Sequence, residues 1–347
     1  MSWPKKAKNV SKVQVEISNF CQARCPMCAR ERLIGKNTSK NDSPYVWEIN
    51  SIYVTLDQFK GWFDKDEWND LQLIDICGNY DEPCTNPELL EIVEWIVTSD
   101  LFPKSLQISI ATNGGIRDKQ FWEKLGELSR LYRLSDTGPR VKVVWGIDGL
   151  EDTNHLYRRN VKWEKLQENF RSYIASGGHA TWQFIYFKHN EHQDELAKQR
   201  SIDEGFKGIK WRGSKDRSNQ EQVQSSELGK YEKPIAKATQ EIRCKALKRL
   251  DFHGLDSTLY ISHQGWLLPC CWWGDKFTMN EIWENYGKNV DVDSHRLNGK
   301  NSVQDALDGE WFGNLHNNIM KEVFPKCISQ CRENVVNMVT TELHNKR

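Results

Sequence analysis

Net charge is missing from this sequence: Lys and Arg number 48, as do Asp and Glu, so the formal charge of the 347-residue chain is zero. A protein whose main work is neutralising a phosphate backbone needs a basic excess, which sets nucleic acid aside as the chief partner. Long apolar runs are missing too. The best candidate, 266–273, falls far short of the roughly 18 residues of a membrane span, and mean hydropathy is −0.72. The N-terminal segment has basic residues but no apolar stretch behind them, so it does not read as a secretory signal, and a cytoplasmic, thiol-reducing setting is expected. There is no repeat at a solenoid period and no low-complexity tract. The nine histidines are scattered, with neither a ligand spacing nor an HExxH pair, and no Ser-His-Asp pattern is legible.

Ten cysteines are present, and in a reducing compartment they read as metal ligands or catalytic thiols rather than as a disulfide framework. Cys21, Cys25 and Cys28 are packed together; Cys77 and Cys84 stand apart; Cys244, Cys270, Cys271, Cys327 and Cys331 gather in the last third.

Between the two groups the chain alternates strand-like and helix-like segments. Strands are expected at 13–17, 71–77, 106–111, 141–147, 181–187 and 208–212. Helical apolar spacing appears at Leu89, Ile92, Val93 and Ile96, at Phe121, Leu125 and Leu128, and at Trp163, Leu166, Phe170 and Ile174. Thr55 with Gln58 makes a capping box for a helix before the second strand, and Asn86 with Pro87 reads as another helix start. Six βα units imply an α/β fold with a parallel sheet curled as a partial TIM-like barrel, its chemistry at the C-terminal strand ends. A polar insertion at 29–54 falls where it could cover that end. The expected organisation is a barrel over 10–212, a connector at 213–243, a hairpin-plus-helix module at 244–335 and a tail at 336–347. The module's hairpin is 258–262 and 266–270 around Gly265, followed by a helix at 303–323.

The C-x3-C-x2-C loop after the first strand offers three thiolates, enough for three corners of a cubane cluster with the fourth iron open. Zinc fits less well, since the nearest histidine in sequence is His155 and a structural zinc site wants a fourth ligand. This loop, with Met27 before its last cysteine, resembles the signature of radical S-adenosylmethionine enzymes. Tyr80, Asp81, Glu82 and Pro83 resemble that family's GGEP segment, with both glycines replaced; Thr112, Asn113 and Gly114 resemble its TNG turn; Gly146 to Gly149 resemble its SIDG segment, with Gly146 in the serine's place. The resemblance covers about 10–212. It implies an S-adenosylmethionine site made by Tyr80, Asp81, Glu82, Pro83, Thr112, Asn113, Gly146 and Asp148, with Arg158 on the methionine carboxylate. It also implies reductive cleavage to a 5′-deoxyadenosyl radical that takes a hydrogen from substrate.

In the last third, Gly265-x4-Cys270 on the hairpin, Cys244 before it and Cys327 with Cys331 after it resemble the auxiliary-cluster modules called SPASM and twitch. Five cysteines are too few for two further clusters, so one auxiliary 4Fe–4S cluster on Cys244, Cys270, Cys327 and Cys331 is expected. Cys271 is the spare or a substitute for Cys270, and zinc is the competitor. Cys77 reads as core. Cys84, near the cofactor, is the one thiol that could face substrate.

The expected function is oxidation of a small polar substrate with the auxiliary cluster as electron acceptor and a flavodoxin- or ferredoxin-type donor. The first strand begins near residue 13, with no separate peptide-clasping domain before it, which tilts the reading away from peptides. Modification of peptide side chains is the alternative, and a degenerate metal-binding protein is the third. Trp145, Trp182 and Trp211 lie on or beside strands and read as core rather than as stacking platforms.

Overall fold

Apolar residues at alternate strand positions face a shell of helices, and the polar residues between them face inward. A computed structural model describes residues 6–33, 52–134, 138–214, 223–224, 226, 257–274, 291–313 and 339–344. Six parallel strands form its centre: β1 (Lys12–Val15), β2 (Leu73–Ile76), β3 (Gln107–Thr112), β6 (Val141–Gly146), β7 (His179–Tyr186) and β8 (Gly208–Gly213). A two-residue ribbon, β4 (Arg133–Leu134) and β5 (Gly138–Pro139), stands aside from them. Val13, Val15, Ile74, Ile76, Ile108 and Ile110 are fully buried against the helical layer.

The crossovers carry the expected helices. The first, after β1, contains α1 (Ala29–Leu33) and α2 (Leu56–Phe63), and α2 is capped by the reciprocal Thr55–Gln58 box. Next comes α3 (Leu89–Thr98), whose Leu89, Ile92, Val93 and Ile96 are buried as their spacing implies. It starts later than Asn86 suggested. The Asn86 amide donates to the carbonyls of Ile17 and Val54, both at 2.8 Å, while its Oδ1 accepts from Glu88, so it pins three segments together three residues before the helix proper. Further along are α4 (Lys119–Leu131), the short α5 (Asn154–Tyr157), α6 (Trp163–Ala175) and α7 (Asp194–Asp203).

The sheet extends beyond these six strands. The hairpin β9 (Thr258–Ile261) and β10 (Leu267–Leu268) does not stand apart: β9 lies parallel to β1, Lys12 opposite Thr258, and all four β9 residues are buried. Pairing with β1 supplies the backbone partners of the β9 edge and makes the hairpin a continuation of the barrel sheet. At the opposite edge β11 (Val339–Leu343) lies antiparallel to β8, giving the order β10-β9-β1-β2-β3-β6-β7-β8-β11. The sheet is strongly curled. In a flat sheet β1 and β8 would stand about 24 Å apart, yet Lys210 of β8 feels the charges of Lys12 on β1 and Asp75 on β2.

Trp145, Trp182 and Trp211 pack outward as core. Trp145 meets Trp122, Phe170 and Tyr173, and the Trp182 indole N–H donates to the Ile147 carbonyl at 2.8 Å. Cys244, Cys327, Cys331, most of the 29–54 insertion, most of the connector and the later part of the expected 303–323 helix lie outside the described residues. The helix begins as expected, but α8 (Val303–Asp308) stops at Gly309, whose extended backbone breaks the expected run. Among the described residues no helix is long and apolar enough to cross a membrane.

His295, fully buried with its ring stacked 4.0 Å from that of Trp311, gives the fold a pH dependence. Burial holds its pKa down to about 3. Below pH 6.5 the unfolded chain takes up a proton that the folded chain refuses, so stability falls with falling pH by up to about 1.4 kcal/mol per pH unit. Urea unfolding between pH 7 and 5 should lose that part of its slope in His295→Phe. Equal slopes in the two proteins would show that the folded ring takes up its proton over the same pH range as the unfolded chain.

Candidate active site

Parallel pairing puts the loops after β1, β2, β3 and β6 at one end of the sheet, and the expected site residues meet there. Cys21, Cys25 and Cys28 are close enough for the Cys21 thiol to feel the other two. Burial pushes the Cys21 thiol up, with Glu82 and the other cysteines adding to it. Cys25 is pushed up to about 11, again by burial first, against the pull of Arg158. Thiols pushed up in this way, as at Cys21 and Cys25, need a cation before they become thiolates, and a ferric–ferrous cluster is such a cation. Donors already point at the sulfurs: Asn113 Nδ2 is 3.6 Å from Cys21 Sγ and Arg158 Nη1 is 4.0 Å from Cys25 Sγ. Hydrogen bonds to sulfur of this kind suit a cluster. Among the described residues no three His, Cys, Asp or Glu side chains are grouped as ligands of a single metal ion.

Glu82 organises the neighbouring loops. It is fully enclosed, and its Oε1 accepts from Thr112 Oγ1 at 2.6 Å and from Cys84 N at 3.3 Å, while Oε2 accepts from Asn113 N at 2.6 Å. Burial raises its pKa, and the donors of Asn113 and Thr112 pull it back. Asn113 Oδ1 in turn accepts from Gln22 Nε2 at 2.7 Å and from Gly115 N. Gly114 completes this turn at φ +68°, with Leu166 and Trp145 where a Cβ would stand. Gln22 Oε1 is buried without a hydrogen-bond partner among the described residues, an acceptor open to a polar ligand beside the cysteines.

After β6, Asp148 and Arg158 pair. Arg158 Nε donates to Asp148 Oδ2 at 2.7 Å, and Asp148 Oδ1 accepts from Ile185 N at 2.7 Å. Burial raises the Asp148 pKa, opposed by Arg158, whereas Arg158 stays firmly charged because Asp148 and Cys25 overcome its own burial. The guanidinium lies over Gly146, where a Cβ would stand 2.5 Å from Nη2. The residue in the motif's serine place is therefore glycine for room: the arginine fills the space.

The segment after β2 is shaped by a residue the sequence reading passed over. Glu16, fully buried just past β1, accepts from Tyr80 N at 2.9 Å and Tyr260 Oη at 3.1 Å, and lies 3.0 Å from His263 Nδ1. Asp81 is its neighbour; burial and then the Glu16 charge raise the Asp81 pKa well above the usual carboxylate range, while Gly78 N donates to Asp81 Oδ1 at 2.8 Å. Gly78 must be glycine, since a Cβ would meet Glu16 at 2.3 Å. Tyr80 and Pro83 are buried. The sign of Glu16 in the sequence was the alternation Lys12, Gln14, Glu16 against Val13, Val15, Ile17.

Cys84 is fully buried, with its pKa raised well above the thiol norm by burial and then by Glu82. Arg117 backs it, at φ +71° and donating to the carbonyls of Cys84, Thr85 and Asn86. Cys77 is only partly buried and lies near Asp75, Asp81 and Cys271. Cys270 and Cys271 sit in the turn after β10, where the Cys271 carbonyl accepts from Asn79 Nδ2 at 2.7 Å. Gly265, at φ +80°, turns the hairpin with the Leu297 carbonyl 2.5 Å from where a Cβ would be.

Three solved structures of SuiB from Streptococcus suis share the fold. SuiB alone aligns at a TM-score of 0.56 and 11% identity over 91% of this chain and 68% of the other. SuiB bound to the precursor peptide SuiA aligns at 0.55 and 12%, over 93% and 70%. SuiB bound to S-adenosylmethionine aligns at 0.53 and 13%, over 93% and 78%. No family model matches the sequence, and no curated protein matches it. At this identity the likeness establishes the architecture, a mixed α/β sheet curled as a partial barrel.

Proposed function

We propose that this chain is a radical S-adenosylmethionine enzyme, with a 4Fe–4S cluster on Cys21, Cys25 and Cys28. The observation behind the reading is convergence: the cysteine loop, the Glu82-held Thr112–Asn113 turn and the Asp148–Arg158 pair occupy the ends of four adjacent parallel strands. When bound, the cluster supplies one electron for reductive cleavage of S-adenosylmethionine. The chain's own residues do the positioning. Arg158, held by Asp148, offers its remaining N–H groups to the methionine carboxylate, a charge-assisted contact. Tyr80, Asp81, Glu82 and Pro83 shape the backbone that takes the amino group, and Thr112 and Asn113 border the nucleoside. Cys244, Cys270, Cys327 and Cys331 would hold one auxiliary cluster, which would supply an electron acceptor for the oxidation of a small polar substrate, with a flavodoxin- or ferredoxin-type protein as the electron donor.

A second reading, modification of a peptide side chain, is favoured by the SuiB structure with a precursor peptide, which spans 93% of this chain.

Anaerobically reconstituted protein should hold about eight irons and eight sulfides. Alanine at Cys21, Cys25 and Cys28 together should leave about half of them and end the formation of methionine and 5′-deoxyadenosine with dithionite. Alanine at the four auxiliary cysteines should leave the other half and keep cleavage. Zinc bound tightly at the first loop, or cleavage that survives the triple substitution, would refute the assignment.

A further inference from the structure

Most inward positions of the six parallel strands are polar, and among these strand residues cations outnumber carboxylates. Alternation with the buried outer row puts Lys12, Lys142, Lys210 and Arg212 on the inner face, with Asp75 as the carboxylate among those strand residues. Lys12 and Asp75 pair at 3.2 Å, and Lys142 Nζ donates to Gln107 Oε1 at 2.8 Å. Lys210 lies in register with Gln183, and Arg212 two residues further toward the cysteine end. Glu16 and Asp81, above, are engaged with His263, Tyr260, Tyr80 and Gly78.

The cations act on one another across the curled sheet. Burial lowers the pKa of Lys142. It also lowers that of Lys210, helped by Arg212, Lys142 and Lys12 and opposed by Asp75. His179, opposite Lys142 in the sheet, is held down to about 4 by burial and then by Lys142 and neighbouring cations. Arg212 reaches the rim, where its charge is felt by Cys77 and Asp148. A column in which cations predominate, Asp75 being paired with Lys12, runs from the cysteine end into the barrel. Half-buried cations that repel one another cost stability. A bound anion would turn that cost into binding energy.

We propose, building on the radical reading above, that this column binds an anionic group of the substrate, a carboxylate or phosphate, with Lys210 and Arg212 as its main contacts. The anion fixes one end of the substrate within the barrel and leaves the other at the rim near Cys21, Cys25 and Cys28. The outward-facing core offers no such site, and the charge-neutral composition hid this one because acidic residues elsewhere balance it.

Calorimetric titration of the full-length, cluster-loaded protein with inorganic phosphate, glutarate and N-acetyl-triglutamate amide tests this without turnover. At least one probe should bind, and Lys210→Met should weaken it about tenfold or more. Without any probe, Lys210→Met should melt above the wild type, because a repelled, half-buried charge has gone; a purely structural lysine would give the opposite. Tighter binding of the tripeptide than of glutarate would identify an acidic peptide, and the reverse a small molecule; both support the proposal. No binding by any probe, or binding that Lys210→Met leaves unchanged, overturns it, and Lys142→Met serves where Lys210→Met does not fold. Failure of the wild type to cleave S-adenosylmethionine would refute the radical reading while the anion titration is read independently.

Discussion

Glu82→Ala should cost the fold on the order of 4 kcal/mol and abolish measurable S-adenosylmethionine binding, because it strands three buried donors at once. The Thr112 hydroxyl, the Asn113 N–H and the Cys84 N–H all end on this carboxylate. Without it the turn carrying Asn113 loses its anchor, and with it the contacts of Asn113 to Gln22 and Cys21. Glu82→Gln should fall between, since its amide keeps one acceptor but sets an N–H group against a donor. Urea unfolding and calorimetric titration with S-adenosylmethionine check both variants. A Glu82→Ala protein as stable as the wild type would mean that the carboxylate does not bridge these loops.

The Asp148–Arg158 pair should show the second large effect. Breaking a buried ion pair from one side costs about 3–5 kcal/mol. Asp148→Asn does this from the carboxylate side and turns an N–H group toward either Ile185 N or Arg158 Nε, both of which are donors. Arg158→Ala should weaken S-adenosylmethionine binding by about tenfold or more without removing iron. Arg159→Ala is the control. If Arg159→Ala weakens binding and Arg158→Ala does not, the assignment after β6 is one residue out.

Much of this was legible because local and global signals agreed. The six strands appear within two residues of the periodicity's limits, and the Thr55–Gln58 box caps the helix it was expected to cap. The cysteine loop, Glu82, Thr112, Asn113, Asp148 and Arg158 converge because parallel strands put every following loop at one end. What escaped was long-range. Glu16 reads as one polar residue at a strand end until Tyr260 and His263 arrive from a segment far along the chain. Gly146 looked like a lost hydroxyl, and only the position of Arg158 reveals it as a clearance. The inner cations are spread over β1, β6 and β8, so no sequence window holds more than two of them. The full burial of Cys84 was not legible either, because proximity in sequence to a motif says nothing about which way a side chain points.

The pairing of β9 with β1 and of β11 with β8 also governs the order in which the molecule can be made. Both margins of the six-stranded sheet stay bare on the ribosome until residues 258–261 and 339–343 have emerged. Bare strand margins invite pairing with other chains, and contacts of such sequence separation form slowly. A chain stopped near residue 214 should therefore self-associate although all six central strands are present. Glu16 gains Tyr260 and His263 only when the hairpin docks, so the loop after β2 that Tyr80 ties to Glu16 takes its final shape late.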